Sequence, residues 1–312
     1  MEARVRRRSW GDSGRNPGGR SRILARALAL FCLLAWGAGE ARADEALLWK
    51  IADARGAVVY LLGSLHMAKE SLYPLKPAIL EAFDRSTRIV VEVNDDAETR
   101  SPEVIKFILE KGSYPLGETL LSHLDPETRD LAAPHLEGFP GVHTSLKPWL
   151  AATLIEVLAL EKKGYLPRFG VDRYFLDEAK RRSLPIGELE TATEQLSHFA
   201  DMDEEMSQLF LKVAILEIEK IDAFMVSMVS AWTQGDEAAF ERIFFETYYD
   251  WPEFAPLLDR VLYGRNDIMV ERLKPYFRED GATFAIVGSG HAVGPRGIPA
   301  KFREMGYSVE KY

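Results

Sequence analysis

A chain of 312 residues with 47% hydrophobic and 28% charged side chains can bury a sizeable core and is too apolar for extensive disorder. Its formal charge is −9; residues 1–43 carry nine of the basic and three of the acidic side chains, which leaves 30 and 45, a net of −15, for the remainder. A surface that acidic argues against nucleic acid and anionic membrane as partners.

In chain order, residues 1–43 read as a signal peptide and 44–312 as the folded domain. Arg4, Arg6, Arg7, Arg8, Arg15, Arg20, Arg22 and Arg26 form a basic region, Ala27 to Trp36 an apolar one, and Ala41-Arg42-Ala43 a small-residue cleavage site. The apolar run is about ten residues against the ~20 that a spanning helix needs, so no permanent membrane anchor is expected after cleavage. Arg7-Arg8-Ser9-Trp10 hints at twin-arginine export, yet no apolar run follows directly, and the general secretory route is preferred. The expected location is a bacterial periplasm or the medium. Cys32 lies in the apolar region, so the cleaved chain has neither a disulfide nor thiolate chemistry.

Leu47 to Ile51 and Ala57 to Leu62, either side of Asp53 to Gly56, predict a hairpin. Its second run leads into Gly63-Ser64-Leu65-His66, and a counterpart, Ala282 to Val287, leads into Gly288-Ser289-Gly290-His291. Each is followed by a proline-containing loop, a helical pattern (Ala78 to Asp84; Ala300 to Met305) and a second strand-like run (Ile89 to Val93; Tyr307 to Val309). Two copies of a strand, turn, helix, strand unit predict an α/β (α+β) fold around a central mixed sheet. Ligands collect at the carboxyl ends of strands in such sheets, and glycine there frees the turn to carry a histidine over the edge. A single Gly-x-x-His is a weak signal that reads first as a histidine bonding a loop carbonyl. Two in matched contexts favour a shared pocket for His66 and His291, since imidazole suits both metal ligation and proton transfer near neutral pH. Glu92 interrupts an apolar strand near its end, either as an exposed strand-end acid beside Asn94 and Asp95 or, as preferred, as a site carboxylate that needs a partner or a cation.

Residues 101–280 read as a large helical insertion. Ser101-Pro102 and Asp125-Pro126 are helix starts with proline at the first helical position. Lys147 to Lys162 reads as amphipathic, and Met202 to Trp232 as one long helix whose charged residues exclude a membrane span. His123, His135, His143 and His198 share no frame and read as surface or packing residues. Asp172 begins a helix, as a carboxylate favoured at the amino terminus or as a site acid. Glu190 ends a short strand, as a capping element with Thr191 or as a site acid. Arg265-Asn266 follows Tyr263-Gly264 at a helix start, where such a pair can hold a carbonyl, carboxylate or oxyanion.

Gly63-Ser64-Leu65-His66 with Tyr73-Pro74-Leu75, Val91-Glu92-Val93, Gly170-Val171-Asp172, Leu189-Glu190-Thr191 with Glu194-Gln195, Arg265-Asn266 with Met269, and Gly288-Ser289-Gly290-His291 with Val293-Gly294-Pro295 together resemble the TraB/GumN family. The resemblance runs from about Leu48 to the carboxyl terminus. That family includes exported bacterial proteins and relatives of the Tiki proteases, described as metal-dependent proteases acting on Wnt proteins. It implies that His66 and His291 are the paired histidines, Glu92 the strand-end acid, Arg265-Asn266 the helix-start pair, and Glu190 and Asp172 recurrent acidic positions. The expectation is a metal-dependent hydrolase, foremost a peptidase acting on a peptide or protein. His66, Glu92 and His291 would hold a divalent ion (Zn, Mn, Co or Fe) with positions open to water. Glu190 or Asp172 would handle a proton and Arg265 or Asn266 an oxyanion. Two alternatives stand beside it: a metal-independent hydrolase resembling the erythromycin esterases, with His66 as general base, and a non-catalytic periplasmic binding or regulatory protein using the same pocket.

Overall fold

Asp53 closes the first hairpin by accepting hydrogen bonds from the amides of Arg55 and Ala57, each at 2.9 Å, while Gly56 takes φ +84°. The hairpin joins β1 (Leu48–Ala52) to β2 (Val58–Ser64) in a computed structural model that describes residues 45–94, 101–137 and 145–312. The expected leader and its cleavage site, Asp95 and His143 lie outside the described residues.

Four more strands follow: β3 (Ser86–Val91), β4 (Ile186–Glu188), β5 (Ala282–Gly288) and β6 (Ser308–Lys311). They form one mixed sheet in the order β4-β3-β5-β2-β1-β6, in which β4, β3, β5 and β2 run parallel and β1 runs antiparallel to both neighbours. β2 and β5 are buried along all but their first residues, as central strands covered on both faces must be. The two units interlock rather than standing side by side. β5 inserts between β2 and β3, and β1 separates β2 from β6. The register pairs Gly63 with Val287 and Ser64 with Gly288, so the two glycine turns leave the sheet as immediate neighbours, offset by one residue.

Between β2 and β3 lies α1 (Pro77–Asp84). The insertion supplies α2 (Pro102–Lys111), α3 (Leu120–His123), α4 (Pro126–Glu137), α5 (Pro148–Lys162) and α6 (Val171–Arg181) before β4. After it come α7 (Ala192–Ala200), α8 (Glu204–Glu217), α9 (Ile221–Gln234), α10 (Glu237–Asp250), α11 (Ala255–Leu258) and α12 (Gly264–Leu273); α13 (Ser289–Ala292) and α14 (Ile298–Glu304) follow β5. Ser101 and Asp125 accept hydrogen bonds from the amides of Val104 and Thr128, the caps their sequences predict. Phe83 of α1, Phe175 of α6 and Phe284 of β5 meet with ring centroids 4.9 to 5.5 Å apart. Such pairs add about 0.5–1.5 kcal/mol each beyond area burial, and here they fix α6 against the sheet.

Three helical expectations change. Met202 to Trp232 is not one helix: a 3₁₀ turn, Ile218–Lys220, separates α8 from α9 and lets both Ile218 and Ile221 pack at the edge of a second core. α5 is not one-sided, because that second core (Trp149, Ile155, Leu211), the cleft described below and a cavity on the far side all claim part of its circumference. Gly264 starts no free helix end; a π-helical turn, Asp259–Tyr263, runs straight into α12. Among the described residues no helix is long and apolar enough to cross a membrane.

Candidate active site

The parallel strands deliver the site. β2, β3, β4 and β5 all end at the same edge of the sheet, and a candidate residue follows each end within three positions: His66 after β2, Glu92 after β3, Glu190 after β4 and His291 after β5. α6 begins beside them because Val171 N–H donates to the Leu65 carbonyl at 2.9 Å. Gly170 is required at that crossing: a Cβ there would lie 2.4 Å from the His66 carbonyl oxygen.

The two histidines stand in unlike surroundings. The His66 side chain is 53% exposed, with Nδ1 3.1 Å from Asp172 Oδ2. Burial raises the Asp172 carboxyl, but His66 and the Ser64 hydroxyl, donating to Oδ1 at 3.0 Å, hold it below its ordinary value. An ionised Asp172 therefore fixes a proton on His66 Nδ1 and leaves Nε2 as the atom turned away from it. His291 is buried, and burial, ahead of the neighbouring charges, pushes its pKa down to about 3. Asn266 Nδ2 donates to the Arg296 carbonyl at 2.8 Å, which turns Oδ1 toward His291 Nδ1 at 2.6 Å. Nδ1 carries the proton here too. Both Nε2 atoms then face Glu92, at 3.9 Å from His66 and 3.8 Å from His291.

Glu92 is the hub. The Gly288 amide donates to Oε2 at 2.9 Å, and Gln195 Nε2 at 2.7 Å and Arg265 donate to Oε1. Burial alone would push this carboxyl up; the Arg265 cation and the Gly288 amide outweigh it and keep the group ionised. Arg265 spans Glu92 and Glu190, donating to Glu190 Oε2 at 3.0 Å from Nε and 2.7 Å from Nη2, and its Nη1 donates to the Val261 carbonyl. Burial, with Glu92 beside it, raises the Glu190 carboxyl in spite of that pairing. His198 lies 3.9 Å from Glu190, a placement no spacing in the chain foretold.

A cleft of about 630 Å³ opens over this hub, lined by His66, Glu92, Asp172, Gln195, Val157 and Arg168 among others. His291, Glu190, Arg265 and Asn266 are buried behind it. The guanidinium and amide groups expected to meet an oxyanion are instead occupied with Glu92, Glu190, His291 and backbone carbonyls. Glu190 does not cap α7 either: Thr191 and Glu194 form that capping box. Ser64 and Gln195 were given no role from sequence. Ser64 sits inside the first glycine turn, and Gln195 follows the α7 capping box, so only position relative to the motifs could have flagged them.

The family-model comparison matches residues 47–311 to the TraB/PrgY/gumN family. The chain belongs to that family. Uncharacterized protein YbaP of Escherichia coli (strain K12) is 21% identical over 248 residues, covering 78% of this chain and 87% of that protein. Its Shigella flexneri counterpart matches to the same extent. No solved structure matches significantly.

The donor chemistry of the hub suits a divalent cation. Two imidazoles with protonated Nδ1 atoms turn Nε2 toward one ionised carboxylate, and a partner on the far nitrogen is what metal-ligating histidines require. Glu92 and Asp172 are held ionised, and Arg265 is shared between Glu92 and Glu190. Among the described residues, however, no three His, Cys, Asp or Glu side chains are already gathered as a ligand group.

Proposed function

We propose that this TraB/PrgY/gumN family member is an exported metal-dependent hydrolase of the peptidase type, with His66, Glu92 and His291 as the residues that would hold the ion. One observation carries the reading: two histidines from separate strand ends turn their Nε2 atoms toward the same buried carboxylate. A bound divalent ion would supply an activated water and polarise the scissile carbonyl.

The chain's own residues do the rest. Asp172 holds the His66 ring and its tautomer, and the Ser64 hydroxyl holds Asp172. Asn266 does the same for His291. Arg265 and the Gly288 amide keep Glu92 ionised and aimed at both rings, while Glu190 balances the arginine. The polar lining of Arg168, Arg173, Asp177 and Gln195 suits a peptide, whose amides need hydrogen-bond partners, better than an apolar substrate.

A second reading draws on the exposure of His66 and its pairing with Asp172, the arrangement of an oriented general base: a metal-independent hydrolase in which Nε2 takes a proton from water. Peptide-library turnover by wild type, His66→Ala and Glu92→Gln tests the common core of both. Loss in both variants with retained folding supports a hydrolase; no turnover by wild type on any library, with tight ligand capture, would move the assignment to a binding protein.

A further inference from the structure

Away from the sheet edge, α5, α8, α9, α10 and α11 line a half-open cavity of about 280 Å³ whose walls include Phe210, Ile221, Phe224, Met225, Phe244 and Leu257. An apolar cavity of about 150 Å³ already accommodates a benzene ring, so this one has room for a ring with a short chain. The Glu156 carboxyl interrupts the apolar wall. Among the described residues it has neither a hydrogen bond nor an ion pair. The other charged groups on the lining, Glu217 and Lys220, pair with each other at 2.9 Å. Burial raises the Glu156 carboxyl to about 7, the mark of an acid surrounded by apolar atoms with nothing to answer it. Three phenylalanine rings and a methionine thioether are also the surroundings in which a cation is stabilised by aromatic faces.

From this geometry we infer a second binding site, in which a small amphipathic amine places its apolar body among Phe210, Phe224 and Phe244 and its ammonium group on the Glu156 carboxylate. The site is separate from the cleft yet shares walls with it. Val157, the next residue of α5, lines the cleft, and Phe244 packs on Gly290, beside His291, so closely that a Cβ there would lie 2.5 Å from the ring. Val226, next to Met225, is 57% exposed, which puts the α9 wall of the cavity at the molecular surface.

Titration of the full protein with 2-phenylethylamine, ethylbenzene and 3-phenylpropionate, followed by calorimetry and ligand-observed NMR, separates charge from shape because the three share one ring. The amine is expected to bind about tenfold or more tighter than the other two. Glu156→Gln, which keeps the side-chain volume, should remove that preference while leaving ethylbenzene within about twofold. Met225→Trp, which fills the cavity from its partly exposed wall, should block all three. No binding of any probe, equal binding of amine and carboxylate, or an amine preference that survives Glu156→Gln would each overturn the assignment. Melting curves of both variants verify folding before titration.

Discussion

His66 and His291 follow equivalent glycines, and their tautomers are set in the same way, yet one faces solvent and the other is sealed. The difference lies in what stands on Nδ1: a carboxylate, Asp172, for the exposed ring and a neutral amide, Asn266, for the buried one. A buried imidazole beside an arginine is most easily kept neutral, and an amide acceptor does not promote its protonation. Asp172→Asn should therefore lower kcat/KM on a peptide library by about 10–100-fold through loss of the His66 tautomer, with little change in melting temperature. An unchanged rate would remove Asp172 from the site. Gly288→Ala probes the same ring from the other side, because the added Cβ would lie 2.9 Å from His66 Nε2 while φ at Gly288 is an ordinary −53°. The exposed ring can swing away, so the fold should survive while turnover falls by about tenfold or more. Glu190→Gln belongs to another class. It breaks a bidentate pair with a buried arginine, and the expected result is a loss of about 3 kcal/mol in thermal or denaturant unfolding. That the two glycine turns bring His66 and His291 together was legible in the residues, as was the need of Glu92 for partners. The tasks of Arg265, Asn266 and Glu190 were not, because which donors are already occupied depends on strands that are far apart in the chain.

At the scale of elements, the sheet was readable because its central strands are short apolar runs ending in glycine or an acid, and the hairpin because Asp53 and Gly56 supply the turn. The interlocking of the two units was not readable. Periodicity reports which residues are buried but not which strand lies next, so the insertion of β5 between β2 and β3 had no local signal. The break between α8 and α9 was hidden for a related reason: Ile218 to Ile221 continues a helical pattern, and only packing against the second core selects the 3₁₀ turn. α5 combines three environments in one helix, and Glu156 marks the least satisfied of them. Its carboxyl has a folded pKa of about 7, above the ordinary 4.5, so the folded state binds the extra proton between those values. Stability from this group is complete below pH 4.5 and is lost as pH rises through 7, by about 3 kcal/mol at most. Glu156→Gln should accordingly raise the melting temperature at pH 8 and have little effect at pH 4.5. A stabilisation of the same size at both pH values would show that the carboxyl is not titrating in the folded protein.

For the whole molecule, the proposed export rests on the basic and apolar leader-like start, and the candidate site is assembled from strand ends contributed by residues 66 to 291. Mass spectrometry of the periplasmic or secreted fraction should find a chain beginning near Asp44; an intact Met1 species confined to the cytosol would contradict export. Family membership covers nearly the whole described fold, residues 47–311, and with it the four strand ends that build the hub. Whether the hub holds a metal is decided by counting divalent ions per chain in purified wild type, His66→Ala and His291→Ala, with peptide turnover followed before and after chelation. About one ion is expected per wild-type chain, with joint loss of ion and turnover in either variant and on chelation, because two remaining ligands rarely retain a metal. Metal-free wild type that hydrolyses at an undiminished rate would contradict a metal-holding hub and assign the chemistry to His66 and Asp172 alone.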